Sequence, residues 1–308
     1  MKKIILSFFF ITLFFSKNIA QIKNEIIIVS KINNEIITNI DVENEMNYLI
    51  AINNELKSVE RDELKKIAHI SLQKEIIKKN ELLKHYELNQ KNEFLETTIK
   101  NFYQRLEIDN LKDFELYLSE YNLRYEDVKK KIEIEIVWNE FIYGMYRDRV
   151  NVDIEAIKKR LSKKKVEVNS YLLSEIFFQI KNKEELEIQY NKIINSINEK
   201  GFINTASIYS ISDSAKLGGE IGWINERQLS ENINSNIKLL KSGEISKTII
   251  VPGGFLILKV NDKKKENLNY NEEDELNKII DYEKNKQFNQ FGLIYYNKIK
   301  INSEINEK

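Results

Sequence analysis

The chain contains no cysteine. That excludes disulfides, a thiolate nucleophile and a thiolate metal site. It has only two histidines, His69 and His85, both on predicted helices and neither in a metal-ligand spacing. They are read as ordinary surface or boundary residues. One proline, Pro252, stands in 308 residues. No G-x-x-x-x-G-K-[ST] stretch is present to cradle a nucleotide phosphate. Neither sign of charge is in excess, because 48 basic residues face 48 acidic ones. A nucleic-acid partner would need a concentrated basic face, which this balance does not suggest.

What is present is ample material for a core. Apolar residues make up 42% of the chain and charged residues 31%, which argues against wholesale disorder. The length allows two ordinary domains, or one with a large extension. The first twenty residues stand apart. Lys2 and Lys3 precede an apolar run from Ile4 to Phe15, and Ala20 precedes a polar chain. This is the layout of a secretory signal peptide over residues 1–20. The run is short for a bilayer core of ~30 Å, and an uncleaved membrane anchor is the rival reading. Cleavage after Ala20 would remove Lys2, Lys3 and Lys17 and no acid, leaving a slightly acidic chain.

Beyond that, Glu25 to Lys31, a turn at Asn33-Asn34, and Glu35 to Thr38 predict two short strands. Asp41 is placed to cap the next helix. Helical spacing continues to about residue 162. One stripe is Phe94, Leu95, Ile99, Phe102, Tyr103 and Leu106, and another is Val128, Ile132 and Ile136. Asp153 predicts a helix start before Ile154, Ile157 and Leu161. From Val166 the texture changes. A strand to Ile180 precedes a helix opened by Asn182 and Glu185 and ended by Gly201. A glycine-bearing stretch, a helix over about Asn232 to Lys241, and two strands joined by Pro252-Gly253-Gly254 complete an α+β unit. The chain after residue 266 reads as one more charged helix, too short for a domain and bound to dock on the N-terminal helices. Lys163-Lys164-Lys165 and Lys263-Lys264-Lys265 read as solvated linker or helix-end charge at the boundaries of this unit.

Three stretches in this unit carry a resemblance. Leu173 to Phe177 sits where parvulins, small peptidyl-prolyl isomerase (rotamase) domains, have a first strand ending in a His-Ile pair. Ala206 to Trp223, reading ASIYSISDSAKLGGEIGW, is similar to the family's A-x-x-x-S…S-A-x-x-G-G-D-L-G-W. Leu240 to Ser246 followed by Gly254 to Ile257 is similar to its L-x-x-G-E-[VI]-S…G-[YF]-H-I ending. The opening Ile28 to Val42, reading IVSKINNEIITNIDV, resembles the V-N-[DG]-E-x-I-T-x-x-D-[VI] start of SurA-type chaperones. In those a helical domain follows, completed by a C-terminal helix.

The resemblance implies an α+β protein: residues 21–165 a mainly helical N-terminal domain, 166–262 a parvulin-like domain, and 263–308 a helix docking back. It implies a chaperone for unfolded or nascent outer-membrane proteins. With the signal-peptide layout and the missing nucleotide motif, the expectation is an exported, periplasmic, ATP-independent protein with no cofactor, metal or nucleic acid, and a monomer, since the long charged helices show no clear oligomerisation seam. It also implies a site, from which this chain departs. The two family histidine positions hold Glu175 and Leu256, and the threonine position holds Val251. The Cys/Asp position falls on Ser212 or Asp213, the catalytic candidates, whose bland alternative is to cap a turn. Ile221, Leu229 and Ile233, with Phe255, match residues that contact substrate proline. The expectation is weak or absent isomerase activity, with an active isomerase relying on pocket shape and Asp213 as the alternative.

Overall fold

The computed structural model describes residues 25–88, 93–161, 167–180, 182, 184–267 and 272–307. Residues 1–20, expected to be a signal peptide, and Lys163-Lys164-Lys165 lie outside the described residues.

Strands β1 (Ile28–Ile32) and β2 (Glu35–Thr38) pair antiparallel around Asn33, which takes a positive φ of 52°. Helix α1 (Asn39–Ile52) opens with a capping box. Thr38 is the cap, its hydroxyl accepting from the Asp41 amide, and Asp41 accepts in return from the Thr38 amide. The cap expected at Asp41 is therefore supplied by Thr38, with Asp41 as its reciprocal partner. Helices α2 (Arg61–Leu82), α3 (Glu93–Arg105), α4 (Leu111–Glu120), α5 (Tyr125–Tyr146) and α6 (Ile154–Leu161) come next. The apolar stripes of α1 to α5 meet in one core around Leu49, Leu56, Leu82, Ile99, Phe114 and Trp138, whereas Ile157 and Leu161 of α6 pack with Ile279. At α6 the predicted cap holds, since Asp153 Oδ1 accepts from the Ala156 amide.

Strand β3 (Glu167–Phe178) begins the α+β unit. Helix α7 (Glu185–Tyr209) is broken, not ended, at Gly201, whose φ of 81° and ψ of 166° only glycine adopts cheaply. The expected stop is thus a kink between two helical halves. Strand β4 (Glu220–Asn225), helix α8 (Glu231–Ile237), β5 (Ile249–Val251) and β6 (Gly254–Asn267) complete the unit. Helix α8 is shorter than the sequence suggested. Pro252 and Gly253 form the two-residue turn between β5 and β6, with Gly253 at φ 88°. The sheet order is β4-β3-β6-β5, antiparallel throughout.

Lys263, Lys264 and Lys265 are not a linker. They lie inside β6, opposite Tyr171, Ser170 and Asn169, so this strand runs through the boundary expected at residue 262. Beyond it, α9 (Glu272–Ile301) returns to the helical body. There Phe291 stacks on Tyr146 at 4.7 Å, and Tyr295 meets Trp138 and Phe141. A short last strand, β7 (Ile305–Glu307), adds to β1 as the third strand of the N-terminal sheet. The expected C-terminal helix thus ends at Ile301, and a strand that its charged pattern does not predict follows it. The molecule is α+β, a mainly helical body of both chain ends holding one small α+β unit.

Candidate functional site

Alternation along β3 and β6 gives the α+β sheet two different faces. Ile176, Phe178 and Ile257 pack under α7 with Ile193, Phe202 and Ala206. On the opposite face Tyr171, Leu173, Leu256, Leu258 and Val260 join Leu229 and Ile233. Part of this second face borders a cavity of about 500 Å³. Leu173, Ile221, Leu229, Ile233, Val251 and Leu256 form its apolar wall. Its other wall belongs to the helical body: Lys74 and Lys78 from α2, Trp138 from α5, and Tyr282, Lys286 and Tyr296 from α9. A hydrogen bond from Gln290 Nε2 to the Pro252 carbonyl, 3.3 Å, ties α9 to the β5–β6 turn.

Of the residues singled out in the sequence, Ser212, Asp213, Ile221, Leu229 and Ile233 all line this cavity, as do Glu175 and Leu256. Phe255 does not. Its place in the strand turns it to the α7 face, where its ring lies 5.7 Å from Phe178. Leu256, one residue on, faces the cavity instead, because a strand's side chains alternate.

Asp213 opens a 3₁₀ turn, Asp213–Leu217, that reaches the helical body. Its Oδ1 lies 2.5 Å from Lys74 Nζ and 3.7 Å from Lys78 Nζ. Lys78, only 1% exposed, also meets Glu135 at 2.5 Å, and Lys216 meets Glu135 at 3.2 Å. Burial disfavours the charged carboxylates. The neighbouring ammonium groups outweigh it, holding Asp213 well below the usual carboxylate range and Glu135 at about 2. A carboxylate so firmly ionised is a poor proton donor. Ser212 precedes the turn without capping it; its hydroxyl bonds to Ser210 and Ser214 instead.

Glu175 stands on β3 at the cavity wall. Ser214 donates to its Oε1 at 2.9 Å. Burial and the nearby Asp213 charge raise its pKa, against the Ser214 and Ser212 hydroxyls. Its backbone is fixed from behind, the Glu175 amide donating to the Gly219 carbonyl at 2.7 Å. Sequence reasoning treated Glu175 as a lost histidine and did not single out Lys74, Lys78, Trp138 or the α9 side chains. No local pattern could have placed residues about 140 positions away beside Asp213.

With this geometry in place, the family model for the rotamase, or PPIC-type PPIase, domain matches residues 173–262. Residues 173–262 are a PPIC-type domain. Among curated proteins, the chain is similar to the chaperone SurA of Pseudomonas aeruginosa. They are 26% identical over 165 residues, which is 50% of this chain and 40% of that protein. The chain thus spans less than half the length of the curated relative it matches. A solved PpiC-type isomerase domain is 27% identical and covers 33% of this chain and 96% of its own, with a TM-score of 0.29. A SurA-like chaperone of Campylobacter jejuni covers 91% of this chain and 98% of its own at 16% identity and a TM-score of 0.36. The chain is thus similar to SurA over half of its length, and its PPIC-type region is set in a helical body.

Proposed function

We propose that this protein is an ATP-independent periplasmic chaperone that holds unfolded outer-membrane proteins, and that its PPIC-type domain serves chiefly to bind. The observation that carries this reading is the composition of the cavity. The apolar wall that would grip a proline or aromatic side chain is intact, while the two family histidine positions hold Glu175 and Leu256. Isomerisation requires stabilising a twisted peptide bond against a barrier of ~18–20 kcal/mol. Holding a chain requires only apolar contact with a few polar anchors. The helical wall supplies such anchors in Asn285, Asn289 and Lys286. Export to the periplasm is supported by residues 2–20 and by the likeness to SurA.

Isomerisation of a short Xaa-Pro peptide is the direct test. Uncatalysed exchange takes tens to hundreds of seconds, which sets a clear baseline. The expected rate is close to that baseline, with suppression of aggregation of an unfolded barrel protein. Ile221→Ala is expected to weaken that suppression, because Ile221 is half-buried at the groove and its loss spares the deep core. A rate well above baseline that Ile221→Ala abolishes would make the protein an isomerase. No suppression of aggregation would remove the holding role.

A further inference from the structure

Three serines connect the back of the groove to Glu175. Ser210 Oγ accepts from the Phe177 amide at 3.0 Å. Ser210 and Ser212 hydroxyls lie 2.9 Å apart, and those of Ser212 and Ser214 2.6 Å apart. Ser214 then donates to Glu175 at 2.9 Å. Each hydroxyl has one proton to give. With Glu175 ionised, Ser214 gives its own proton to Glu175, Ser212 gives its proton to Ser214 or to Glu175 itself, and Ser210 gives its proton to Ser212. The chain therefore runs one way, and all of its dipoles support negative charge on Glu175.

Two features oppose that charge. The wall on either side of Glu175 is apolar, from Leu173, Phe177, Ile221 and Leu256. Asp213, a second carboxylate, lines the same cavity. The serine chain solvates the Glu175 carboxylate, and so does solvent where this half-buried side chain meets the open groove. An apolar segment that fills the groove displaces that solvent but leaves the serines and Asp213 in place. The ionised form then loses solvation that the neutral acid does not need.

We propose that Glu175 is the proton-binding group of this groove, taking up one proton from solvent when an apolar peptide segment fills it. The inference rests on the groove being the peptide site. It assigns a role to a residue that replaces a family histidine: binding is coupled to acidity and favours uncharged, apolar segments. The other titratable groups lining the cavity are Asp213 from the 3₁₀ turn, Lys74 and Lys78 from α2, and Tyr282, Lys286 and Tyr296 from α9. Asp213 stays ionised between its lysines, and burial pushes Tyr282 and Tyr296 up to about 12. Burial pulls Lys74 below its ordinary value, which makes it the competing group, although its salt bridge to Asp213 favours the charged form. Among the described residues, no histidine lines the cavity.

The test is calorimetric titration of the full-length mature protein with a short blocked peptide of Ala, Phe, Leu and one Pro, which has no ionisable side chain. Titrations at pH 6 and pH 8, in buffers of different ionisation enthalpy, read proton uptake directly. The wild type is expected to take up a proton and to bind more tightly at pH 6, by at most about tenfold per pH unit. Glu175→Gln is expected to bind with no pH dependence. Ser214→Ala removes a donor from the carboxylate, so its loss of affinity is expected to begin at a higher pH; it serves if the Gln variant does not fold. Binding without pH dependence in the wild type overturns the proposal. A dependence that survives in Glu175→Gln assigns the proton to another group, Lys74 first, and overturns it equally. No binding at either pH means that the groove is not the peptide site, and the inference falls with that reading.

Discussion

Gly219 shows how a single backbone position holds the site. Its φ is 82°, and a Cβ there would lie 2.2 Å from the Glu175 carbonyl and 2.9 Å from Ala206 Cβ. Any side chain would push β3 away from the kinked end of α7, just where Glu175 enters the groove. Gly219→Ala is expected to destabilise the protein by at least about 2 kcal/mol, from left-handed strain plus the clash. Urea denaturation measures this, and an unchanged midpoint would contradict the packing described. The Gly-Gly pair was visible in the sequence as a turn and a family feature. That its second member lies against the carbonyl of Glu175 was not, because the contact spans the strand pairing of the sheet. Glu175 itself illustrates the converse. In the sequence it is a charged residue where a histidine is expected, and only its serine partners and apolar walls give it a chemical environment.

Among the elements, β3 and β6 were both legible as apolar runs, but their extent was not. Lysine triplets usually mark solvated ends, and Lys263 to Lys265 are charged because β6 projects beyond the covered part of the sheet. There Lys265 pairs with Glu167 at 2.9 Å, and Lys264 with Glu266 at 2.7 Å. Strand β7 had no local signature at all: three residues after a long helix become a strand only because the edge of β1 is free to pair. Its pairing places Ser30, Lys31 and Ile32 opposite Glu307, Asn306 and Ile305, and the Asn33 amide donates to the Glu304 carbonyl at 2.8 Å. Removing residues 303–308 is therefore expected to speed amide exchange along β1 while leaving β3 and β6 unaffected. Hydrogen exchange resolved by residue checks it, and unchanged protection in β1 would show that the third strand adds no stability there.

Across the whole molecule, the ion cluster joins the PPIC-type domain to the helical body. Glu135 on α5 accepts from Lys78 on α2 and from Lys216 on the domain. Its folded pKa of about 2 lies below the ordinary value of 4.5, so its stabilising contribution is complete above that value. The contribution is lost as pH falls from 4.5 towards 2. Acidification over this window is expected to loosen the contact between the two parts. Lys78 Nζ sits 5.3 Å from the Trp138 ring, so tryptophan fluorescence reports the change. Glu135→Leu is expected to shrink that acid-dependent step, leaving the part that Asp213 contributes through its lysine partners. It leaves Lys78 buried with Asp213 alone at 3.7 Å, and should cost about 3 kcal/mol by denaturation at neutral pH. A fluorescence change that persists unaltered in Glu135→Leu would place the acid sensitivity elsewhere.

The sequence by itself determined the order of the elements in the α+β unit, the two-part architecture and the apolar wall of the groove. These arise from local periodicity, turn chemistry and short motifs, and each needs only neighbouring residues. The family resemblance grouped Ser212, Asp213, Ile221, Leu229 and Ile233, and all five line one cavity. Tertiary structure alone decided what faces that wall, why Phe255 points away from it, and what Asp213 does. A strand's face depends on its register and bulges, and a carboxylate's role depends on the charges around it. Here those charges are Lys74 and Lys78, brought in from α2 by packing that no local pattern encodes.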